Sequence, residues 1–182
     1  MDMSAYQKKI DGHLAYLNQE FGGLQLGRAT PGLLDNVTVA ASYGFMKLNQ
    51  LGHVSVLDSQ TLKVEAWDKG EMKNIEKAIY DANLGLTPQN EWGYVIVKIP
   101  ALTQERRQEM VKHVKTLGEE TKSQIRSTRQ DAMKENKKLL ENKAISENEH
   151  GNNELDIDAM TKKATTAIEE LVETKSADVM KV

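Results

Sequence analysis

The sequence contains no cysteine, only three prolines in 182 residues, and two phenylalanines and two tryptophans. Without cysteine there is neither a disulfide framework nor a thiolate zinc site, which fits a reducing compartment. No apolar run approaches the roughly 18 residues of a membrane span. Met1–Ile10 is polar and lacks the apolar segment of a signal peptide. The chain is expected to be soluble and cytoplasmic, or an organellar form whose transit peptide has been removed. Aromatic residues are few and scattered and no RNP motif is present, which argues against a stacking platform for single-stranded bases. The signatures of common enzymes are missing as well: no GxSxG, P-loop, HExxH or CxxC. His13, His53, His113 and His150 share no metal-ligand spacing, and His13 and His113 are expected on helix surfaces. Asp156 and Asp158, two apart, do not share a helix face and are expected at a solvated helix start. These absences point to a protein that is not an enzyme and holds no cofactor or metal.

What is present is charge, unevenly placed. The net charge is −3. Residues 103–144 carry 11 basic and 7 acidic groups, net +4, whereas residues 145–182 carry 4 and 9, net −5. A basic segment within an acidic protein makes a local field able to dock on phosphate.

That basic segment reads as one long helix. Between Thr103 and Lys143 there is no proline and a single glycine, Gly118. At about 100° per residue, Met110, Val114, Leu117, Thr121, Ile125, Thr128, Ala132 and Leu139 form a narrow packing seam. Beside it lie Arg107, Lys115, Lys122, Arg126, Arg129 and Lys137, and most of the helix's own acids fall elsewhere. Arginine's planar fork suits phosphate. Such a stripe would read the shape of folded RNA or DNA through salt-dependent phosphate contacts.

Two further helices are expected. Ile10, Leu14, Leu17, Phe21 and Leu24 step by three and four over residues 4–26, with Ser4 as N-cap. Ile157, Met160, Ala164, Ala167, Ile168, Leu171 and Val179 form a third seam. Ser146 and Glu149 give this helix a capping box, and Asn148–Asn153, containing Gly151, make a weak and irregular start. Between the first helix and the long one, Val37–Ala40, His53–Leu57, Thr61–Trp67 and Tyr94–Ile99 read as strands and Lys73–Asn83 as a helix. The fold class is α+β. Residues 1–28 and 103–182 form a three-helix bundle, and residues 29–102 form a small, mostly β domain with one helix, inserted through linkers at Gly27–Gly32 and Pro100–Thr103.

Several segments match a known family in order. They are Gly27-Arg28-Ala29-Thr30-Pro31 with Leu33-Leu34-Asp35, Glu76-Lys77-Ala78-Ile79, and Leu84-Gly85-Leu86 with Pro88. Ile99-Pro100-Ala101-Leu102-Thr103-Gln104-Glu105-Arg106-Arg107 and Ile125-Arg126-Ser127-Thr128-Arg129-Gln130-Asp131-Ala132 complete the series. The chain resembles ribosome recycling factor over its whole length.

The resemblance implies an L-shaped two-domain protein, similar in outline to tRNA, that is monomeric and has no membrane partner. It implies binding to the post-termination ribosome through large-subunit RNA. Elongation factor G with GTP would then drive the subunits apart and release mRNA and tRNA. The resemblance maps RNA contacts onto Arg28, Arg107, Arg126 and Arg129, and the basic stripe adds Lys122. The hinge maps to Gly27, Thr30, Pro31, Gly32, Ala101, Leu102 and Thr103. Where the family often carries basic residues, this chain has Gly23, Gln25 and Gln130. A helical adaptor or chaperone that binds an acidic protein is the alternative, and ribosome co-sedimentation across salt separates the two.

Overall fold

A computed structural model describes residues 1–181. The chain divides into two units, residues 1–21 with 108 onward, and residues 22–107. No helix among the described residues is long and apolar enough to cross a membrane.

The first unit is built on three helices, α1 (Met3–Gly22), α3 (Gln104–Glu141) and α4 (Glu147–Met180). Their seams carry the core. Tyr6, Ile10, Leu17 and Phe21 are buried on α1, Val114, Thr121, Ile125, Thr128 and Ala132 on α3, and Ile157, Ala164, Ile168 and Val179 on α4. The pairs Gly118 with Val172, Lys122 with Glu169 and Arg129 with Asp158 run in opposite chain directions, so α3 and α4 are antiparallel. Gly118 lies at a tight contact between them. A Cβ at this position would overlap the Cγ2 methyl of Val172.

The ends of these helices correct three expectations. Asp2 caps α1 in place of Ser4: its Oδ1 accepts from the Ser4 and Ala5 amides at 3.0 and 3.2 Å. The Gly22–Gly23 pair stops α1 short of residue 26, as expected where two residues of high backbone entropy adjoin. The start of α4 is regular rather than frayed, and helix runs from Glu147 through Gly151. The capping box is one reason, with Ser146 Oγ accepting from the Glu149 amide and Glu149 Oε2 accepting from the Ser146 amide. A second reason lies on α3. Asn136 is completely buried; its Nδ2 donates to the His150 carbonyl at 3.0 Å and its Oδ1 accepts from Asn153 Nδ2 at 2.9 Å. His13 also departs from its expected surface position. It is half-buried, 3.0 Å from Thr128 Oγ1, and joins α1 to α3 as Tyr6 joins α1 to Thr161 of α4.

The second unit holds a two-stranded ladder of β1 (Thr38–Ala41) and β2 (Gly44–Lys47) and a four-stranded antiparallel sheet. The sheet comprises β3 (Gly52–Asp58), β4 (Thr61–Ala66), β5 (Thr87–Glu91) and β6 (Tyr94–Lys98), in the order β3-β4-β6-β5. Helix α2 (Met72–Asp81) packs Met72, Ile75 and Ile79 onto a core that includes Leu62, Val64, Val95 and Val97. The alternation on β4 and β6 places those four side chains inward and their neighbours outward. At the start of α2, Glu71 is almost fully buried. It accepts from the Ser42 amide and hydroxyl and, at 2.8 Å, from Asn74 Nδ2, fastening the β1–β2 turn to the helix.

The division between the units falls at 21/22 and 107/108, whereas the domain bounds expected from the sequence are 28/29 and 102/103. Gly27 has φ +68° and is buried against the second crossing, where a Cβ would lie 2.7 Å from the Leu102 amide nitrogen. Gly27 and Leu102 thus pack on each other inside the small unit, and the first turn of α3 belongs to that unit as well.

Candidate nucleic-acid interface

The basic stripe belongs to α3. Thr103 Oγ1 caps the helix by accepting from the Arg106 amide at 3.2 Å, and the apolar seam fixes which side faces the bundle. From Lys115 to Arg129 is fourteen residues, about 21 Å at 1.5 Å per residue.

Helix α4 alters the electrostatics of that stripe. Lys122 Nζ lies 3.4 Å from Glu119 Oε1 and 3.1 Å from Glu169 Oε1 of α4. These carboxylates, Glu169 first, hold the Lys122 ammonium above the usual lysine range against the opposing effect of burial. Arg129 Nε donates to Asp158 Oδ1 of α4 at 2.8 Å, and its side chain stays 39% exposed. Arg126 is exposed and has no carboxylate partner among the described residues, and the same holds for Lys115. The segregation of acids from the stripe is therefore incomplete: Glu119 and Glu141 of α3 itself reach Lys122 and Lys137, and Glu169 and Asp158 reach Lys122 and Arg129 from α4. Asp158 sits well inside α4 and is an ion-pair partner, not part of a solvated helix start. Nothing in the local sequence marks Asp158 or Glu169 for this role, because the pairing depends on the helix–helix register.

Of the five positions expected to hold RNA, the bundle brings together Lys122, Arg126 and Arg129. Arg28 and Arg107 fall in the small unit, both half-buried. The expected hinge positions Gly27, Thr30, Pro31, Gly32, Ala101, Leu102 and Thr103 also belong to that unit. Pro31 opens a short 3₁₀ turn after an extended Thr30, as proline's effect on the preceding residue requires.

A basic stripe on one long helix, interrupted by its ion pairs, in a chain that also carries a small α+β unit is the arrangement to set against known proteins. A family model described as ribosome recycling factor matches residues 17–180. The chain belongs to the ribosome recycling factor family. The ribosome-recycling factor of Rickettsia akari is 39% identical over 176 residues, spanning 97% of this chain and 95% of that one. The ribosome-recycling factor of Pelodictyon phaeoclathratiforme is 42% identical over 180 residues, with 97% of each chain covered. Among solved structures, a solution structure of the ribosome recycling factor aligns with a TM-score of 0.80 at 29% identity, covering 97% of this chain and 94% of that one. A second match has a TM-score of 0.66 at 34% identity and covers 98% and 97%. It comes from models of the T. thermophilus ribosome recycling factor and the E. coli elongation factor G bound to the E. coli post-termination complex. The fold class expected from the sequence, helices at both ends around a small antiparallel sheet domain, is the one these family members share.

Proposed function

We propose that the chain recycles ribosomes in the cytoplasm as a non-enzymatic factor. Its bundle docks on large-subunit RNA of the post-termination ribosome, and elongation factor G with GTP then drives the subunits apart, freeing mRNA and tRNA. The observation that carries the RNA-docking part is Arg126, exposed and without a carboxylate partner among the described residues, beside Arg129, whose Nε is the one guanidinium nitrogen engaged among them. Guanidinium offers five donors, so Arg129 keeps four N–H groups for phosphate while Asp158 sets its direction. Lys122 joins α3 to α4 beside them, its own charge offset by Glu119 and Glu169. Arg28 and Arg107 extend the contact from the small unit. The crossings at Gly27–Gly32 and Ala101–Thr103 serve as the hinge about which the small unit turns under force.

Co-sedimentation with purified ribosomes over a salt series tests this reading. Saturable binding to large subunits is expected, weakening linearly in log–log form. Arg126→Ala should reduce that slope by about 1, the share of one phosphate contact. Salt-independent binding, or no binding, contradicts the reading.

A further inference from the structure

Strand β1 has an open edge. It pairs only with β2, in a register running from Thr38↔Lys47 to Ala41↔Gly44. Ser42-Tyr43 is a two-residue loop, so Ala41 and Gly44, the pair that closes it, exchange both backbone bonds. Backbone direction alternates along a strand, so Val39 faces β2 as well. The Leu48 amide donates to the Val37 carbonyl at 3.0 Å and continues the same row. Thr38 and Ala40 therefore turn their N–H and C=O groups the other way, as does the Ser42 amide, which donates to Glu71 Oε1 at the start of α2. The backbone groups of Thr38 and Ala40 have no hydrogen-bond partner among the described residues, and both residues are exposed.

This edge is one wall of a groove of about 610 Å³. Helix α2 supplies the other wall through Asn74, Lys77, Ala78 and Asp81. The volume lies within the about 300–1,000 Å³ of sites that enclose a ligand. Phe45 also lines the groove and is 82% exposed. Its cross-strand neighbour is Ala40, whose methyl group is too small to cover the ring.

A short edge strand by itself is a common way to blunt pairing. The groove adds what a bare edge lacks, an apolar surface and two charges. Lys77 and Asp81 are exposed, and neither is in an ion pair among the described residues. Four residues of helix rise about 6 Å, and two residues of strand about 6.6 Å. An extended chain laid along β1 thus brings side chains two residues apart level with both charges. The side chain between them falls on the opposite face, the face of Phe45. Phosphate would meet Asp81 as well as Lys77, and a nucleic-acid strand has no regular row of donors and acceptors to match Thr38 and Ala40.

We propose that the groove between β1 and α2 takes an extended segment of a protein, which adds to β1 as a third strand. An acidic and a basic side chain two residues apart meet Lys77 and Asp81, and an apolar side chain between them covers Phe45. The inference goes beyond ribosome binding and does not depend on it. Amide spectra of the full chain, titrated with the synthetic peptides acetyl-Thr-Glu-Val-Lys-Val-Thr-amide and acetyl-Thr-Lys-Val-Glu-Val-Thr-amide, test it. The two charge orders cover both strand directions. One peptide should shift the Thr38 and Ala40 amides saturably and slow their hydrogen exchange. N-methylation of alternate peptide amides should abolish binding in one phase and spare it in the other, the mark of a strand that bonds along one edge. Lys77→Glu should weaken binding roughly five-fold, and Lys77→Glu with Asp81→Lys should exchange which peptide is preferred. Binding of neither peptide overturns the proposal, and so does binding that both methylation patterns spare. A concentration-dependent dimer that protects Thr38 and Ala40 without peptide assigns the edge to a second copy of the chain and also overturns it.

Discussion

Arg129 of α3 and Asp158 of α4 meet through a single Nε–Oδ1 hydrogen bond of 2.8 Å. The pair does two things at once. It anchors one edge of the guanidinium, and it lowers the positive potential along the stripe. As a partly exposed ion pair it contributes only about 0.2–1 kcal/mol to stability. Arg129→Ala should therefore shift the thermal midpoint by no more than a few degrees while ribosome affinity falls at least ten-fold. Asp158→Asn keeps an acceptor oxygen and removes the negative charge. It should tighten ribosome binding several-fold at low salt, with the gain fading as salt screens the field. Weaker binding in Asp158→Asn at every salt concentration would show that the carboxylate's charge is needed to position Arg129.

Gly118 and Val172 set the spacing of α3 and α4. Alanine at position 118 gains about 1 kcal/mol in helix propensity, but its methyl group overlaps the stiff, β-branched side chain of Val172. Overpacking of this kind costs about 1–3 kcal/mol. Gly118→Ala is expected to destabilise the natural chain and to stabilise the Val172→Ala variant, a change of sign read by thermal unfolding of the four combinations. Equal stabilisation in both backgrounds would mean that the helices move apart to admit the methyl group.

Glu71 makes the small unit sensitive to acid. The hydrogen bonds from Asn74 first, then from Ser42, hold its carboxyl below the ordinary value of 4.5. A depressed folded-state value stabilises the protein above the unfolded-state value, and that stabilisation is lost as pH falls through the folded one. Glu71→Gln should thus be destabilised relative to the natural chain at pH 7, with the difference shrinking once pH drops below about 4.5. Hydrogen exchange of the Ser42 amide provides a local readout, since this amide donates to Glu71 Oε1 at 3.2 Å. A difference independent of pH would assign the effect to shape, not charge.

The helical part of this fold was legible because each helix carries a repeating apolar seam, and a seam is a local signal. The residues that lock the helices together were not legible. Asn136 and His13 look like surface residues on a wheel, and only the facing helix turns them into partners. In the small unit, Val37–Ala40, His53–Leu57, Thr61–Trp67 and Tyr94–Ile99 announced themselves by β-branched content, while β2 and β5 did not. Strand β5 reads Thr-Pro-Gln-Asn-Glu and pairs on one side only, with β6. A proline and polar side chains are tolerated on such an edge, so its strand character comes from its neighbour. The candidate interface divides in the same way. The arginines were visible on α3, and Glu119 is a local partner of Lys122, but Asp158 and Glu169, which pair with Arg129 and Lys122, come from α4, at positions only the folded register brings near.

The most direct measurement is subunit splitting of purified post-termination ribosomes, followed by light scattering in the presence of elongation factor G and GTP. The natural chain should drive splitting, and the Arg126→Ala, Arg129→Ala double variant, folded as judged by its thermal midpoint, should lose at least nine-tenths of that rate. No splitting by the natural chain, or an undiminished rate with the double variant, would contradict the account.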